Sequence, residues 1–522
     1  MTTPGGLLVE AGLSDDQALA RDLAVERLAE LGVDLNEGRI DPADDDDDTR
    51  DAELLAVLGR AGSGKTRLLA LLVKALGEAG LDSVSSEWEG RKKRGRRSFA
   101  VLAPTNKAAS VLRNLGVPAT TIHRIVYSPV YDPQYEKIAE WLAGDAKRPV
   151  VEGIDDALLD RAEASYKAHA SVPGALAAMG LRGSDFIQGW SRREDPLDIA
   201  LVDEASMLDD KQLTDLKALF RLVILFGDPA QLAPVGQSGA MVFDALPEGR
   251  RTELQRIHRQ AVDSPILDLA HALADPEMDF DRFEDEVRAA AGRDDRVVVA
   301  ERADAGLMTR SPMLVWRNAT RVRLIHAFRK VHDAPEDRLA PGEPLICDGV
   351  ELPLKHRRKR IDLEARGLVK GAPCVYVGEG RKPGFAKLHV LGAEDPRINV
   401  ASIIQIERPD QEEPFIPTAA SMGAAFLHGA AATIHKAQGS QWPVVQVFAP
   451  DLYAAWRSGR AEAGLPLWKR LAYVAITRAQ ERLVWVVRNR MARPAEGLTL
   501  EDLEAEAAPL LALSAEDPAT AE

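Results

Sequence analysis

The sequence predicts an α/β protein in which two parallel-sheet domains stand in tandem, each interrupted by an inserted subdomain, and three observations carry that expectation. At roughly 150 residues per domain, 522 residues allow three or four globular units. Short β-branched or aliphatic runs alternate with helical patterns, as they do where helices cover both faces of a parallel sheet. Those runs form two groups: 54–58, 99–102, 199–202 and 222–226, then 312–316, 431–434, 444–448 and 483–487.

The first domain is expected in 1–125 and 196–252, and the second in 253–340 and 431–495. Residues 126–195 interrupt the first and read largely helical at 135–142 and 156–168, with no clear hairpin turn. Residues 341–430 interrupt the second; short strands at 374–377 and 386–391, split by Gly- and Pro-bearing turns, predict a small β-rich subdomain. The acidic tail, 496–522, carries one helical pattern at 498–513, and the five acids Asp44 to Asp48 read as a hydrated, self-repelling loop.

Composition narrows the function. Lys plus Arg number 66 against 81 for Asp plus Glu, a net charge of -15, so nucleic-acid contact has to be a local groove and not a wholly basic surface. Apolar residues make up 46%, yet no run approaches the roughly 20 needed to span a bilayer. Two cysteines, Cys347 and Cys374, support neither a disulfide framework nor a cysteine-rich zinc site. No basic segment followed by an apolar core opens the chain, so a cytoplasmic protein is expected.

Chemistry enters at Gly59-Arg60-Ala61-Gly62-Ser63-Gly64-Lys65-Thr66, which fits G-x-x-x-x-G-K-[ST] between an apolar strand and a helix. Glycines let the backbone curl until Ala61, Ser63 and their neighbours direct N–H groups at phosphates. Lys65 neutralises those phosphates, and Thr66 offers an oxygen to Mg²⁺. The run 199–202 delivers Asp203 and Glu204 to the carboxyl edge of the sheet. Two adjacent acids there suit two roles: Asp203 as a Mg²⁺ ligand and Glu204 as the base that orients and deprotonates water.

A third block, Gly227-Asp228-Pro229-Ala230-Gln231-Leu232, follows the strand at 222–226, and this ordered set resembles superfamily 1 helicases. Four further blocks keep the family's order: Ala103 to Ala109, Glu253 to Gln260, Thr433 to Ser440 and Tyr473 to Gln480. The resemblance is nearest to the RecD/Dda-like branch and implies two RecA-like domains that bind ATP between them. It implies that Gln231 senses the γ-phosphate, that Arg259 and Arg478 reach it as arginine fingers, and that Gln17 reads adenine through its amide.

Thr105, Asn106, Thr121 and His123 in one domain, with Thr433, His435 and Lys436 in the other, match the strand-gripping segments, whose hydroxyls and amides contact backbone phosphate without reading sequence. In the family an insertion at this place supplies a strand-separating element, and the largely helical pattern of 126–195 leaves open whether this chain has one. The implied function is an ATP-dependent DNA helicase moving 5′→3′ on single-stranded DNA, with tailed duplex DNA as substrate and repair or replication proteins as partners. Open alternatives are a translocating ATPase subunit of a repair or nuclease assembly that does not unwind alone, an RNA track, and a small-molecule phosphotransferase. Two basic clusters, Arg91 to Arg97 and Lys355 to Arg360, read equally as phosphate-attracting patches and as solvated loops.

Overall fold

The computed structural model describes residues 12–43, 52–84, 95–151, 154–169, 172–179, 187–193, 195–234, 240–256, 264–351, 363, 366–393, 395–409, 411–420, 423–462, 464–494 and 497–504. Asp44 to Asp48, Arg91 to Arg94, Arg259, Lys355 to Arg360 and most of the expected helix at 498–513 lie outside them. The chain divides into two compact units. One comprises Met1–Val126, Arg193–Phe328 and Ala431–Arg493; the other comprises Tyr127–Arg192, Arg329–Ala430 and Pro494–Glu522.

The first unit holds both parallel sheets. Its amino-terminal lobe contains β1 (Glu53–Gly59), β2 (Asp82–Ser83), β3 (Ser98–Ala103), β4 (Ala119–Thr121), β5 (Leu197–Val202), β6 (Phe220–Gly227) and β7 (Arg251–Leu254). Among the described residues these run β7-β1-β6-β5-β3-β2, with β4 also on β3, and every pairing is parallel. Strands β3 and β5 are buried at every residue, because helices cover both faces, so their sequences run apolar without alternation. Helix α1 (Asp15–Glu30) and helix α2 (Lys65–Glu78) pack on this sheet; Leu68, Leu69, Leu72 and Leu76 of α2 join Leu55, Val57, Ile224 and Phe226 in one core.

The second lobe contains β8 (Val297–Ala300), β9 (Met313–Val315), β10 (Ala431–Thr433), β11 (Trp442–Phe448) and β12 (Ala479–Val486), in the order β8-β12-β11-β9-β10, again all parallel. The two groups of apolar runs are therefore two sheets, as the sequence predicts.

The second unit departs from the sequence reading in one respect. Tyr127–Tyr131 pairs antiparallel with Ile187–Arg192, so the two ends of the first insertion form a ladder although they are some fifty residues apart, a spacing no hairpin-turn signal marks. Between them, helices Pro133–Ala143, Asp156–His169 and Val172–Ala178 share a core around Ile138, Leu142, Leu159 and Leu176. In the second insertion, Pro344–Glu351, Pro373–Glu379, Phe385–Val390, Arg397–Arg408 and Gly423–His428 close into a small barrel, and Gln411–Ala419 extends it. Of the carboxyl-terminal helical pattern, a single short turn at Glu501–Glu504 is described.

The first basic cluster is corrected where it is described. Arg97 is buried and paired with Asp198 at 3.2 Å, and it donates to the carbonyls of Asp41 and Pro42 at 3.1 and 3.3 Å. Arg96 pairs with Asp82 at 2.9 Å. Asp198, fully buried at the start of β5, also accepts from Ser98 N at 2.8 Å and Ser98 Oγ at 3.0 Å. Arg97 thus ties strands together and offers nothing to a phosphate. Replacing Asp198 by Ala leaves that guanidinium buried and uncompensated, and is expected to cost about 3–5 kcal/mol. A urea titration of wild type and variant reads this as a lowered midpoint of the transition that unfolds the first unit.

Candidate nucleotide site and nucleic-acid interface

The phosphate loop joins β1 to α2, as its motif requires. Gly62 and Gly64 take φ of +85° and +81°, the left-handed region where a side chain is strained, and this lets the loop curl. Lys65, at the first turn of α2, folds back so that its Nζ donates to the carbonyls of Gly59 at 2.5 Å and Arg60 at 3.2 Å. Its ammonium is therefore held over the concave side of the loop. Gln17, fully buried in the first turn of α1, donates from Nε2 to Ser63 O at 3.1 Å, and its Oε1 accepts from Ser14 N at 3.2 Å. One amide both caps a helix and braces the loop.

Strand β5 ends at Asp203, whose N–H continues the sheet by donating to Leu102 O at 2.9 Å. The next residue, Glu204, has φ of +53° and ψ of +39°. A non-glycine residue in that region is strained by roughly 1–2 kcal/mol, and such strain persists only where the surroundings fix it. Here Glu204 N donates to Asp203 Oδ1 at 3.0 Å, and Glu204 O accepts from Met207 N at 3.0 Å. The sharp turn takes the chain out of the strand direction directly after Asp203. Burial and the neighbouring Glu204 charge push the Asp203 carboxyl up to about 7, partly offset by Lys65.

Two crowded acids of this kind beside a lysine, with Thr66 following that lysine in the first turn of α2, fit a divalent cation of the Mg²⁺ type, which keeps several waters and needs only one or two protein oxygens beside those of a phosphate. Among the described residues there is no cluster of three or more His, Cys, Asp or Glu side chains placed to hold a metal ion.

Helix α4 (Leu467–Ile476) belongs to the second lobe and is buried along its whole length. Its polar side chains reach into the first lobe. Arg470 donates to the carbonyls of Pro229 at 3.1 Å and of Gln231, and to Glu462 O at 2.8 Å. Tyr473 donates to Asp228 Oδ2 at 2.6 Å and accepts from Ala61 N at 2.8 Å. Burial and the Asp228 charge push the Tyr473 phenol well above its ordinary range, so it remains protonated.

Just beyond the helix, Arg478 donates to Val474 O at 3.0 Å, Ser440 O at 3.2 Å and Thr477 Oγ1 at 3.0 Å. Burial lowers its pKa, and the charges of Glu204 and Asp228 act against that lowering, which places the guanidinium in their field. Gln231 is buried and turns its N–H onto Asp228 O at 3.2 Å. Of the sequence-predicted pocket residues, Lys65, Thr66, Asp203, Glu204, Gln231 and Arg478 thus gather around the carboxyl edge of β1, β5 and β6. Sequence reasoning assigned no role to Asp228, Arg470 or Tyr473. The available signal was three polar side chains, Lys469, Arg470 and Tyr473, in an otherwise apolar helix.

The expected grip residues occupy equivalent places in both lobes. Thr105 caps helix α3 (Asn106–Asn114) after β3, accepting from Ala108 N at 3.1 Å, and Thr121 ends β4 in register with Ala103. Thr433 ends β10 in register with Val315 and caps Ile434–Ala437. His123 and Lys436 are exposed, and Asn106 and His435 half-buried. The two sets approach one another: a Cβ placed on Gly439 would lie 3.5 Å from Thr105 Oγ1, and Lys107 Nζ lies 5.2 Å from the centroid of the Trp442 ring. Burial and the Arg478 charge push Lys107 down to about 8.

The family described as an AAA domain matches residues 49–294, and that described as a UvrD-like helicase C-terminal domain matches residues 428–486. The two matched stretches are thus similar to an ATPase domain followed by a helicase carboxyl-terminal domain, in that order along the chain. Over 300 residues it is 26% identical to the ATP-dependent RecD2 DNA helicase of Deinococcus radiodurans, a match covering 55% of this chain and 36% of that relative. The chain thus aligns with little more than a third of the relative's length. Solved structures similar to it include Pif1 helicase from Candida albicans, at 16% identity, TM-score 0.43 and coverage of 94% and 98% of the two chains. Another is Bacteroides Pif1 bound to ssDNA, at 14% identity, TM-score 0.44 and coverage of 94% and 96%. Among the described residues no helix is long and apolar enough to cross a membrane.

Lys65→Ala removes the ammonium that rests on the loop carbonyls of Gly59 and Arg60. Affinity for a fluorescent ATP analogue is expected to fall about tenfold or more, the scale of one charge-assisted phosphate contact. Unchanged affinity in an equilibrium titration would detach the loop from nucleotide binding.

Proposed function

We propose that the chain is an ATP-driven helicase that translocates 5′→3′ along single-stranded DNA and separates tailed duplexes. The observation that carries this reading is the set of polar contacts that α4 of the second lobe makes with the loop and the Asp228 block of the first, because a motor needs its nucleotide pocket shared between two parts that can move. Lys65 and the loop N–H groups bind and neutralise the phosphates, Gln17, which braces the loop at Ser63, reads adenine, and Thr66 with Asp203 would hold Mg²⁺. The metal, when bound, supplies positive charge to the phosphate oxygens. Glu204 takes the proton of the attacking water on its carboxylate. Arg478, already in the field of Glu204, exchanges carbonyl partners for phosphate oxygens when the lobes close, and Arg259 acts with it as a second finger.

On the DNA side, Thr105, Asn106, Thr121 and His123 face the same strand as Thr433, His435 and Lys436, and backbone contacts of this type grip without reading bases. The ladder Tyr127–Tyr131 with Ile187–Arg192, whose Trp190 is half exposed opposite Pro129, supports a separating element in the first insertion, and so favours unwinding over translocation alone. Repair and replication proteins are the partner class such a motor serves, and the cytoplasm its compartment.

ATP turnover is expected to rise on adding single-stranded DNA, and a duplex with a 5′ tail to be unwound in preference to one with a 3′ tail. Equal turnover with and without DNA would sink the motor reading, and turnover without strand displacement would leave the translocase. Glu204→Gln is expected to retain ATP binding and lose hydrolysis, read by comparing analogue affinity with phosphate release. For Arg478→Ala a fall of about 10³-fold in stimulated turnover is expected; a fall below about tenfold would demote it from finger to structural arginine.

A further inference from the structure

Helix α4 is buried on all sides, so each polar side chain it carries has lost water and needs a matched partner. Tyr473 is 2% exposed, and its hydroxyl has two partners of different origin: Ala61 N in the phosphate loop and Asp228 Oδ2 at the end of β6. Asp228 is itself fixed. Its Oδ1 accepts from Ala230 N at 2.9 Å and its own N–H donates to Ser206 Oγ at 2.8 Å, and Ser206 lies two residues beyond Glu204. One turn earlier on α4, Arg470 holds the carbonyls of Pro229 and Gln231. At the other end of the helix, Tyr473 O accepts from Thr477 N at 3.0 Å and Thr477 Oγ1 at 2.9 Å, and Thr477 Oγ1 accepts from Arg478. A single residue therefore touches the loop, the Asp228 block and the turn that sets Arg478.

We infer that Tyr473 is a positioning residue that couples the state of the phosphate loop to the placement of Arg478. The inference rests on the motor reading above. Phenylalanine would fill the same space but leave the Ala61 N–H and an Asp228 oxygen buried without their shared partner, so the hydroxyl and not the ring carries the coupling. Because the bond to Asp228 is charge-assisted and spans two lobes, its loss loosens closure more than it loosens nucleotide binding, which Lys65 and the rest of the loop retain.

The test compares wild type, Tyr473→Phe, Asp228→Asn and the double variant in ATP turnover with and without single-stranded DNA, alongside equilibrium affinity for a fluorescent ATP analogue. Each single variant is expected to lower DNA-stimulated kcat about tenfold, to shift analogue affinity by less than about threefold, and to combine without further loss, because both cut one link. Wild-type kcat in Tyr473→Phe, or losses that multiply in the double variant, would overturn the coupling. Parallel loss of affinity and turnover together with a lowered melting temperature would instead make Tyr473 a structural residue and also overturn it. Should Tyr473→Phe not fold, Asp228→Asn carries the test alone, and unchanged kcat there counts against the link. If the wild-type chain is not stimulated by DNA, the motor reading fails separately, and the same cycle on unstimulated kcat still decides the coupling.

Discussion

The hydroxyl of Tyr473 and the guanidinium of Arg470 cross from a wholly buried helix of one lobe to backbone and carboxylate groups of the other. Apolar contact alone holds surfaces together without fixing their register. Buried hydrogen bonds fix it, because any slip strands a desolvated donor or acceptor at a cost of about 1–3 kcal/mol. The relative placement of Lys65, Glu204 and Arg478 within the first unit depends on this constraint. So does the approach of the Gly439 turn to Thr105, since the same lobe carries both α4 and the block from Thr433 to Ser440.

Backbone strain and a buried charge meet where chemistry is expected. Glu204 occupies the left-handed region without being glycine, and Asp203 beside it is buried enough to titrate near neutrality. Both conditions are unfavourable for folding alone, and each becomes intelligible if the pocket is built to receive a cation and polyphosphate. The paired acids, the lysine folded onto its own loop carbonyls and the arginine held on Ser440 and Val474 are charges whose present partners are weaker than a triphosphate would be.

Much of the architecture was legible because it is local. Strands buried on both faces read as unbroken aliphatic runs, and the glycine spacing of the phosphate loop follows from the backbone angles that the curl demands. The ladder between Tyr127–Tyr131 and Ile187–Arg192 was not legible, since a long, largely helical segment separates its strands and no turn sequence marks the pairing. Arg97 was misread for the same reason: a cluster of basic residues looks solvated until the distant Asp198 is brought beneath one of them.

What the amino-acid order determined by itself was the phosphate loop, the acidic pair after a strand and two sheets of parallel strands. Tertiary structure alone decided that Gln17 braces Ser63, that Arg97 belongs to the core, and that Tyr473 lies between Ala61 and Asp228. The physical reason is range. Backbone preference and apolar periodicity act over a few neighbouring residues, whereas the partner of a buried polar group is chosen by whichever distant segment the packed sheets bring within about 3 Å.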